Sequence, residues 1–156
     1  KSIALFEKFG IFTKAELESR EEILYETYTK TINIEALTMI DMAKKQILPA
    51  VNGYVKTLAE TVNAVKAAGV TDASVQVDML KEVSEKLAEA RAAELTLEKK
   101  LANASSCKNE KEKAFYFKDE VFVAMAALRA PVDALEMLVD KSVWPMPTYG
   151  DLIFEV

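Results

Sequence analysis

Carboxylates are the main side chains of this sequence that could act as general acids, general bases or metal ligands. Glu18, Glu21 and Glu22 cluster near the start of the first long helix that the sequence predicts. Negative charge in the first turns of a helix interacts favourably with the helix dipole. We therefore interpret this cluster as a solvated face that stabilises the helix.

A second group of polar side chains interrupts the otherwise apolar segment 31–41. At 3.6 residues per turn, Glu35 and Thr38 share one face of a helix, and Asp41 continues it. Hydrogen-bonding groups in such a segment bind either a partner or one another within a core. We predict that Asn33, Glu35, Thr38 and Asp41 form an interface or a structural polar network. A small-molecule site between helices near Asn33, Glu35 and Thr38 is a weaker alternative.

Several common catalytic arrangements are excluded by the residues that the sequence lacks. It contains no histidine and one cysteine, Cys107, so Ser-His-Asp and Cys-His catalysis and histidine-containing zinc sites cannot form. Its four glycines are too scattered for a phosphate-binding loop. We predict no catalytic, cofactor-binding or metal-binding residue in this chain, and we interpret Cys107 as an incidental exposed thiol.

Composition limits the class of protein. The 156 residues, 51% of them hydrophobic, suffice for one domain with a core, and glycine and proline are scarce. The net charge is −5 with acidic and basic residues interleaved, which argues against nucleic acid and anionic lipid as partners. No apolar run is long enough to span a membrane. The single cysteine fits a reducing, cytoplasmic setting.

Helical periodicity dominates the chain from one end to the other. We predict a single helical domain with a short leading helix at 1–12, a long kinked or split helix at 13–69, and further helices at 71–104 and 108–141. Each long helix has an apolar stripe that must be buried against the others. Short turns between them favour an elongated, antiparallel up-down bundle of three to four long helices, so the fold class is all-α.

Capping residues and prolines set the expected helix boundaries. Gly10 and Gly69 are predicted to end helices, because glycine readily adopts the left-handed conformation. Thr13 and Glu16 have the spacing of a capping box at the start of the long helix. Pro49 and Pro131 lie inside helical segments, and we expect each to kink or divide its helix.

The C-terminal segment 143–156 differs in character from the helices before it. Two prolines at alternate positions favour an extended tail, and its large apolar side chains indicate docking. The surface it covers is predicted to be this bundle, the rest of a longer polypeptide or a neighbouring subunit. The predicted docking residues are Trp144, Pro145, Pro147, Tyr149 and Phe154.

Three stretches resemble a known family. Residues 31–50, TINIEALTMIDMAKKQILPA, and residues 144–154, WPMPTYGDLIF, are similar to the C-terminal region of type III glutamine synthetases. Residues 4–20, ALFEKFGIFTKAELESR, are similar to that region as well. The chain also starts at Lys1 without a methionine, and we expect it to be a fragment of a longer polypeptide.

The resemblance implies a parent enzyme and a role for this part of it. The parent would be a cytoplasmic, bacterial-type glutamate–ammonia ligase of nitrogen metabolism that uses ATP with magnesium or manganese and assembles as two stacked hexameric rings. Its catalytic motifs belong to other domains and have no counterpart here. We therefore expect a non-catalytic C-terminal helical domain, inactive alone, with an architectural, oligomer-stabilising or regulatory role. Its partners would be the rest of the parent chain and neighbouring subunits. A free-standing helical interaction module, such as a coiled-coil adaptor, is the alternative.

Overall fold

Helices and turns make up all of the chain that the computed structural model describes, which is residues 2–147 and 149–154, with only the backbone of Tyr149. The prediction of an all-α fold with three long helical segments is confirmed. The elements in chain order are α1 (Ser2–Lys8), α2 (Lys14–Met42), a first π-helical turn (Ala43–Ile47), α3 (Leu48–Ala67), α4 (Ser74–Asn103), a 3₁₀ turn (Ala104–Ser106), α5 (Glu110–Tyr116), a second π-helical turn (Phe117–Val121), α6 (Phe122–Leu138) and α7 (Tyr149–Phe154).

Local sequence signals set the ends of the first long helix as predicted. The Glu16 N–H donates to the Thr13 hydroxyl oxygen at 3.3 Å, and the Thr13 N–H donates to the Glu16 carboxylate at 2.7 Å. This capping box satisfies donors that a helix start otherwise leaves unpaired. Gly10 and Gly69 follow the ends of α1 and α3 with φ of 63° and 79°, a conformation that other residues adopt only with strain.

The chain stays helical from α2 through α3, over a length of about 80 Å. The hydrogen-bond pattern changes just before Pro49, where the Leu48 N–H donates to the Ala43 carbonyl oxygen, five residues back. A π-helical turn holds one extra residue, and Pro49 then stands in the first turn of α3. The proline therefore does not end the helix, because the wider turn before it absorbs the change in the backbone hydrogen-bond pattern.

Pro131 does not divide its helix either. It is buried in the middle of α6, which runs unbroken from Phe122 to Leu138. The change of register lies further upstream, where the Phe122 N–H donates to the Phe117 carbonyl oxygen across the second π-helical turn. Both π-helical turns direct side chains into the core, since Ala43, Ile47, Phe117 and Val121 are all buried.

The core consists of two clusters along the bundle. α4 contacts both α3 and α6, and α2 contacts α5 and, less extensively, α4 and α6. The first cluster joins α2, the end of α4 and the second π-helical turn, through residues that include Ile32, Ala36, Ile40, Leu97, Phe117, Val121 and Leu128. The second joins α3, the start of α4 and the end of α6, through residues that include Val51, Leu58, Val83, Leu135 and Trp144.

Some apolar positions that helical periodicity assigns to the core are exposed. Leu24 on α2 is 69% exposed, and Val75 and Met79 at the start of α4 are also exposed. The apolar period identifies a stripe along a helix, but burial also requires a partner over that length. The helices differ in length and register, so parts of their stripes have no partner within this chain.

The prediction of an extended tail is wrong for its last part, because Tyr149–Phe154 forms the short helix α7. Proline disfavours helix for the residue before it and at its own interior position, but a helix can begin just after it. Pro145 and Pro147 therefore keep helix out of only the first part of the tail. An ion pair between Lys141 and Asp151 at 2.5 Å joins α7 to the end of the bundle.

A tight turn directs Trp144 back onto the bundle. Asp140 accepts a hydrogen bond from the Ser142 N–H at 2.7 Å through its side chain, and from the Trp144 N–H at 3.0 Å through its carbonyl. Trp144 is buried in the second core cluster, whereas Phe154 is 81% exposed. The two ends of the tail therefore differ sharply in how far they are packed.

We predict that Trp144→Ala lowers the free energy of unfolding by about 3–5 kcal/mol, because it removes a large buried side chain and leaves a cavity. Phe154→Ala, as the matched control, changes it by less than about 0.5 kcal/mol. Urea denaturation followed by far-UV circular dichroism measures both, since Trp144 is the only tryptophan and its fluorescence is lost in the first variant. Equal effects of the two substitutions would contradict the packing described here.

Candidate functional site

The four polar residues predicted on α2 do not form a shared network. Glu35, Thr38 and Asp41 are exposed, and Asn33 is half-buried. The Thr38 hydroxyl donates to the Ile34 carbonyl oxygen of its own helix at 2.8 Å, and Asp41 pairs with Lys45. No hydrogen bond joins any two of the four, all of which lie in the described part of the chain. A role for them at an interface stays a prediction.

Glu94 on α4 is a buried carboxylate that the sequence did not single out. Glu94 is fully buried, at 0% exposure, beside the first core cluster. Its Oε1 lies 3.4 Å from Lys44 Nζ, and its Oε2 pairs with Arg91 one turn earlier on α4. The Lys44–Oε1 contact is an ion pair without hydrogen-bond geometry. In the sequence, Glu94 was one acidic residue among many on a charged helix.

Two ion pairs join α4 to the two π-helical turns with opposite polarity. Lys44 of the first turn bonds Glu98 on α4, and Glu120 of the second turn bonds Lys100 on α4. The Tyr116 hydroxyl also donates to the Lys100 carbonyl oxygen at 3.1 Å. The C-terminal part of α4 therefore contacts the first π-helical turn through one ion pair and the second π-helical turn through another.

The pKa values of these groups shift as expected for paired charges. The hydrogen bond from Lys44 lowers the pKa of the Glu98 carboxyl, and the same bond, together with the nearby Glu94 charge, raises the pKa of Lys44. The hydrogen bond to Glu120 likewise raises the pKa of Lys100. In each case the charged form is favoured because the partner has the opposite charge.

The predicted docking residues of the tail are placed differently from one another. Trp144 is buried, and its indole N–H donates no hydrogen bond to any residue that the structure describes. Pro145 and Pro147 are exposed, and the side chain of Tyr149 lies outside the described residues. Next to Trp144 is an open cavity of about 400 Å³, whose lining includes Ile47, Val132, Trp144, Met146, Pro147 and Leu152. Which surface the exposed part of the tail covers stays a prediction.

Other groups that could do chemistry are not arranged as a site. Glu18, Glu21 and Glu22 lie around a wide surface cleft, and Glu21 pairs with Lys111 on α5 at 3.5 Å. Within the residues that the structure describes, no three Asp, Glu or Cys side chains converge as ligands for one metal ion. Cys107 is half-buried at the turn after α4. None of the described helices has the length and apolar character required to span a membrane.

The sequence is similar to known proteins of one family. A profile of the glutamine synthetase C-terminal domain matches residues 1–66, which cover α1, α2 and nearly all of α3. A glutamine synthetase of Butyrivibrio fibrisolvens is 34% identical over all of this chain, and a type-3 glutamine synthetase of Dictyostelium discoideum is 34% identical over 99% of it. A glutamine synthetase of Bacteroides fragilis is 30% identical over 92% of it.

The chain belongs to the glutamine synthetase C-terminal domain family, and the part that the structure describes contains helices and no strand. Its similarity to a type-3 glutamine synthetase confirms the resemblance to type III glutamine synthetases found in the sequence. It spans about a fifth of the length of these relatives, since the matched region is 22%, 22% and 20% of their chains.

We predict that Lys44→Met destabilises the fold more than Glu94→Gln. Removing Lys44 leaves a fully buried carboxylate with Arg91 as its remaining partner, at a cost of about 3 kcal/mol or more. Glu94→Gln keeps the side-chain volume, and the partly exposed cations can turn to water, so its cost is about 1–2 kcal/mol. Urea denaturation of both variants and of the double variant tests this. The order is contradicted if Glu94→Gln is the more harmful, or if the double variant is no more stable than Lys44→Met.

We predict that the Glu98–Lys44 bond makes the free energy of unfolding depend on pH. Because the pKa of Glu98 is lowered on folding, its contribution is complete above about pH 4.5 and is lost as pH falls through the folded-state value. Because the pKa of Lys44 is raised, the contribution is also lost at strongly alkaline pH. The bond is partly exposed, so we expect solvent screening to keep its contribution to the free energy of unfolding small.

Thermal melts from pH 3 to pH 7 of the wild-type chain and Glu98→Gln measure this contribution. The stability difference between the two proteins should be largest near neutral pH and should vanish at the acid end. Glu60→Gln on the exposed face of α3 is the control for the loss of a surface carboxylate. A difference for Glu98→Gln that stays constant over this range would contradict the assignment.

Proposed function

We propose that this chain is the C-terminal helical domain of a longer glutamine synthetase, a glutamate–ammonia ligase that consumes ATP. The observation that carries the proposal is similarity over the whole chain to enzymes of that name, of which it matches about a fifth. The role of this domain is architectural: it stabilises or regulates the assembled enzyme and takes no part in the chemistry.

The architectural role is supported by the arrangement that we propose for the three long helical segments, which is up, down and up. Glu21 pairs with Lys111, and Tyr25 meets Phe115 one turn later, so α2 and α5 run in the same direction. α4 runs the opposite way. Its C-terminal part pairs with the second π-helical turn, and its early residue Val83 shares a cluster with Leu135 late in α6. Such a rod suits a spacer or brace between other parts of an assembly.

ATP and magnesium or manganese are assigned to the part of the enzyme outside this chain. The donor set argues for this assignment, because no trio of carboxylate or thiol side chains converges in the described ranges 2–147 and 149–154. We propose that this chain supplies no residue to the transfer step. We further propose a cytoplasmic homo-oligomer of two hexameric rings, with neither nucleic acid nor membrane as partner.

Expression of the complete reading frame that contains this sequence tests the proposal. The full-length protein should form glutamine from glutamate, ammonia and ATP, and the isolated 156-residue chain should neither do so nor bind ATP. Deleting the domain from the full-length protein should reduce the number of subunits in the assembly, which native mass spectrometry measures. Glutamine formation by the isolated chain, or a reading frame without an upstream catalytic domain, would overturn the proposal and favour a free-standing interaction module.

A further inference from the structure

The helix α2 has large apolar side chains on two opposite sides. One side faces the bundle and includes the buried residues Ile32, Ala36 and Ile40. The other side bears Ile23, Ile34 and Leu37, which are 56%, 64% and 53% exposed. Ile23 and Ile34 are about three helical turns apart on one side, and Leu37 follows within one turn. A surface helix normally carries polar side chains on the side opposite its buried stripe.

The second half of the same long helix provides an internal comparison. No large apolar side chain of α3 is among those that are strongly exposed in the described residues. Its outward positions carry polar groups instead, such as Asn52, Lys56, Glu60 and Asn63. Both halves pack against the bundle on one side, so packing within this chain does not explain why their outer faces differ. The outer face of α2 has the composition of a surface that is covered.

The polar groups on this outer face are largely satisfied within α2 itself. The Thr31 hydroxyl donates to the Thr27 carbonyl oxygen at 2.9 Å, in the same way as the Thr38 hydroxyl bonds its own helix. Lys30 pairs with Glu26 at 2.6 Å, one turn away, and Asp41 pairs with Lys45 in the same manner. Covering this face would therefore leave few hydrogen-bonding groups without a partner, which lowers the desolvation cost.

We propose that the outer face of α2 is the docking surface for the part of the longer polypeptide that precedes residue 1. The inference rests on the proposed function, because it requires that longer polypeptide. The three relatives have about four fifths of their length outside the matched region, which is ample material for a partner surface. The same preceding polypeptide would enter the domain immediately before α1.

The position of α1 explains why this occupant is favoured over a second copy of the chain. α1 is tied to the start of α2, since Phe6 lies 5.8 Å from Phe12 between ring centres and Glu7 accepts a hydrogen bond from the Lys14 N–H at 3.1 Å. Anything that precedes α1 is therefore tethered close to α2, at a high effective concentration. α1 and the turn that follows it also expose apolar side chains, namely Leu5, Phe9 and Ile11.

Thiol labelling of the full-length protein tests the proposal. In a Cys107→Ser background, Ile34→Cys places a thiol on the outer face of α2, and Asn63→Cys places a matched one on the exposed face of α3. N-ethylmaleimide should modify the first at least about tenfold more slowly than the second under native conditions, and both equally fast in urea. Peptide mass spectrometry follows each site separately. Equal native rates at the two sites would overturn the proposal.

A photo-cross-linking amino acid at position 37 identifies the occupant in the same full-length protein. A cross-link from this position to a peptide that precedes residue 1 supports the proposal, and a cross-link to a peptide within 1–156 overturns it in favour of a second copy. Neither measurement depends on catalysis. Absence of glutamine formation would count against the proposed function only, whereas fast labelling at position 34 in an active enzyme would count against the docking surface only.

Discussion

The pairing of one fully buried carboxylate constrains how the long helices fit together. Glu94 has no access to water, so its charge must be compensated by groups held in place around it. Arg91 is supplied by the same helix, but Lys44 comes from the neighbouring long helix and fixes the position of that helix against α4. A slip of one turn would leave the buried charge with a single partner.

The two π-helical turns place the remaining contacts around this centre. Each holds one residue more than an α-helical turn, and each directs a charged side chain to the C-terminal part of α4, Lys44 on one side and Glu120 on the other. Their buried residues also fill the core at the same level. The register of α4 is therefore set by apolar packing and by charge together.

This rod has two kinds of outer surface, and the difference bears on its role. The outer face of α3 is polar and suits solvent, whereas that of α2 carries three large exposed apolar side chains, Ile23, Ile34 and Leu37, among polar ones. In the arrangement that we propose, the outer face of α2 contacts the preceding polypeptide and the outer face of α3 faces solvent. Three polar residues that were predicted from the sequence to form a network lie near these apolar side chains, namely Glu35, Thr38 and Asp41. Thr38 bonds the Ile34 carbonyl oxygen and Asp41 pairs with Lys45, so both contacts are made within one helical turn.

The sequence by itself determined the features that depend on residues a few positions apart. These include the capping box at Thr13, the glycine ends at Gly10 and Gly69, the helical class and the lack of histidine-based chemistry. Only the tertiary structure decided which side of each helix is covered, because burial requires a partner at the right length and register. Leu24 is exposed although its spacing places it on an apolar stripe, and Glu94 is buried although its side chain is charged. The sequence did not predict the π-helical turns or the helix after Pro147 for the same reason. The local sequence allows α-helical, π-helical and extended backbone at these positions, and packing against the rest of the bundle decides between them.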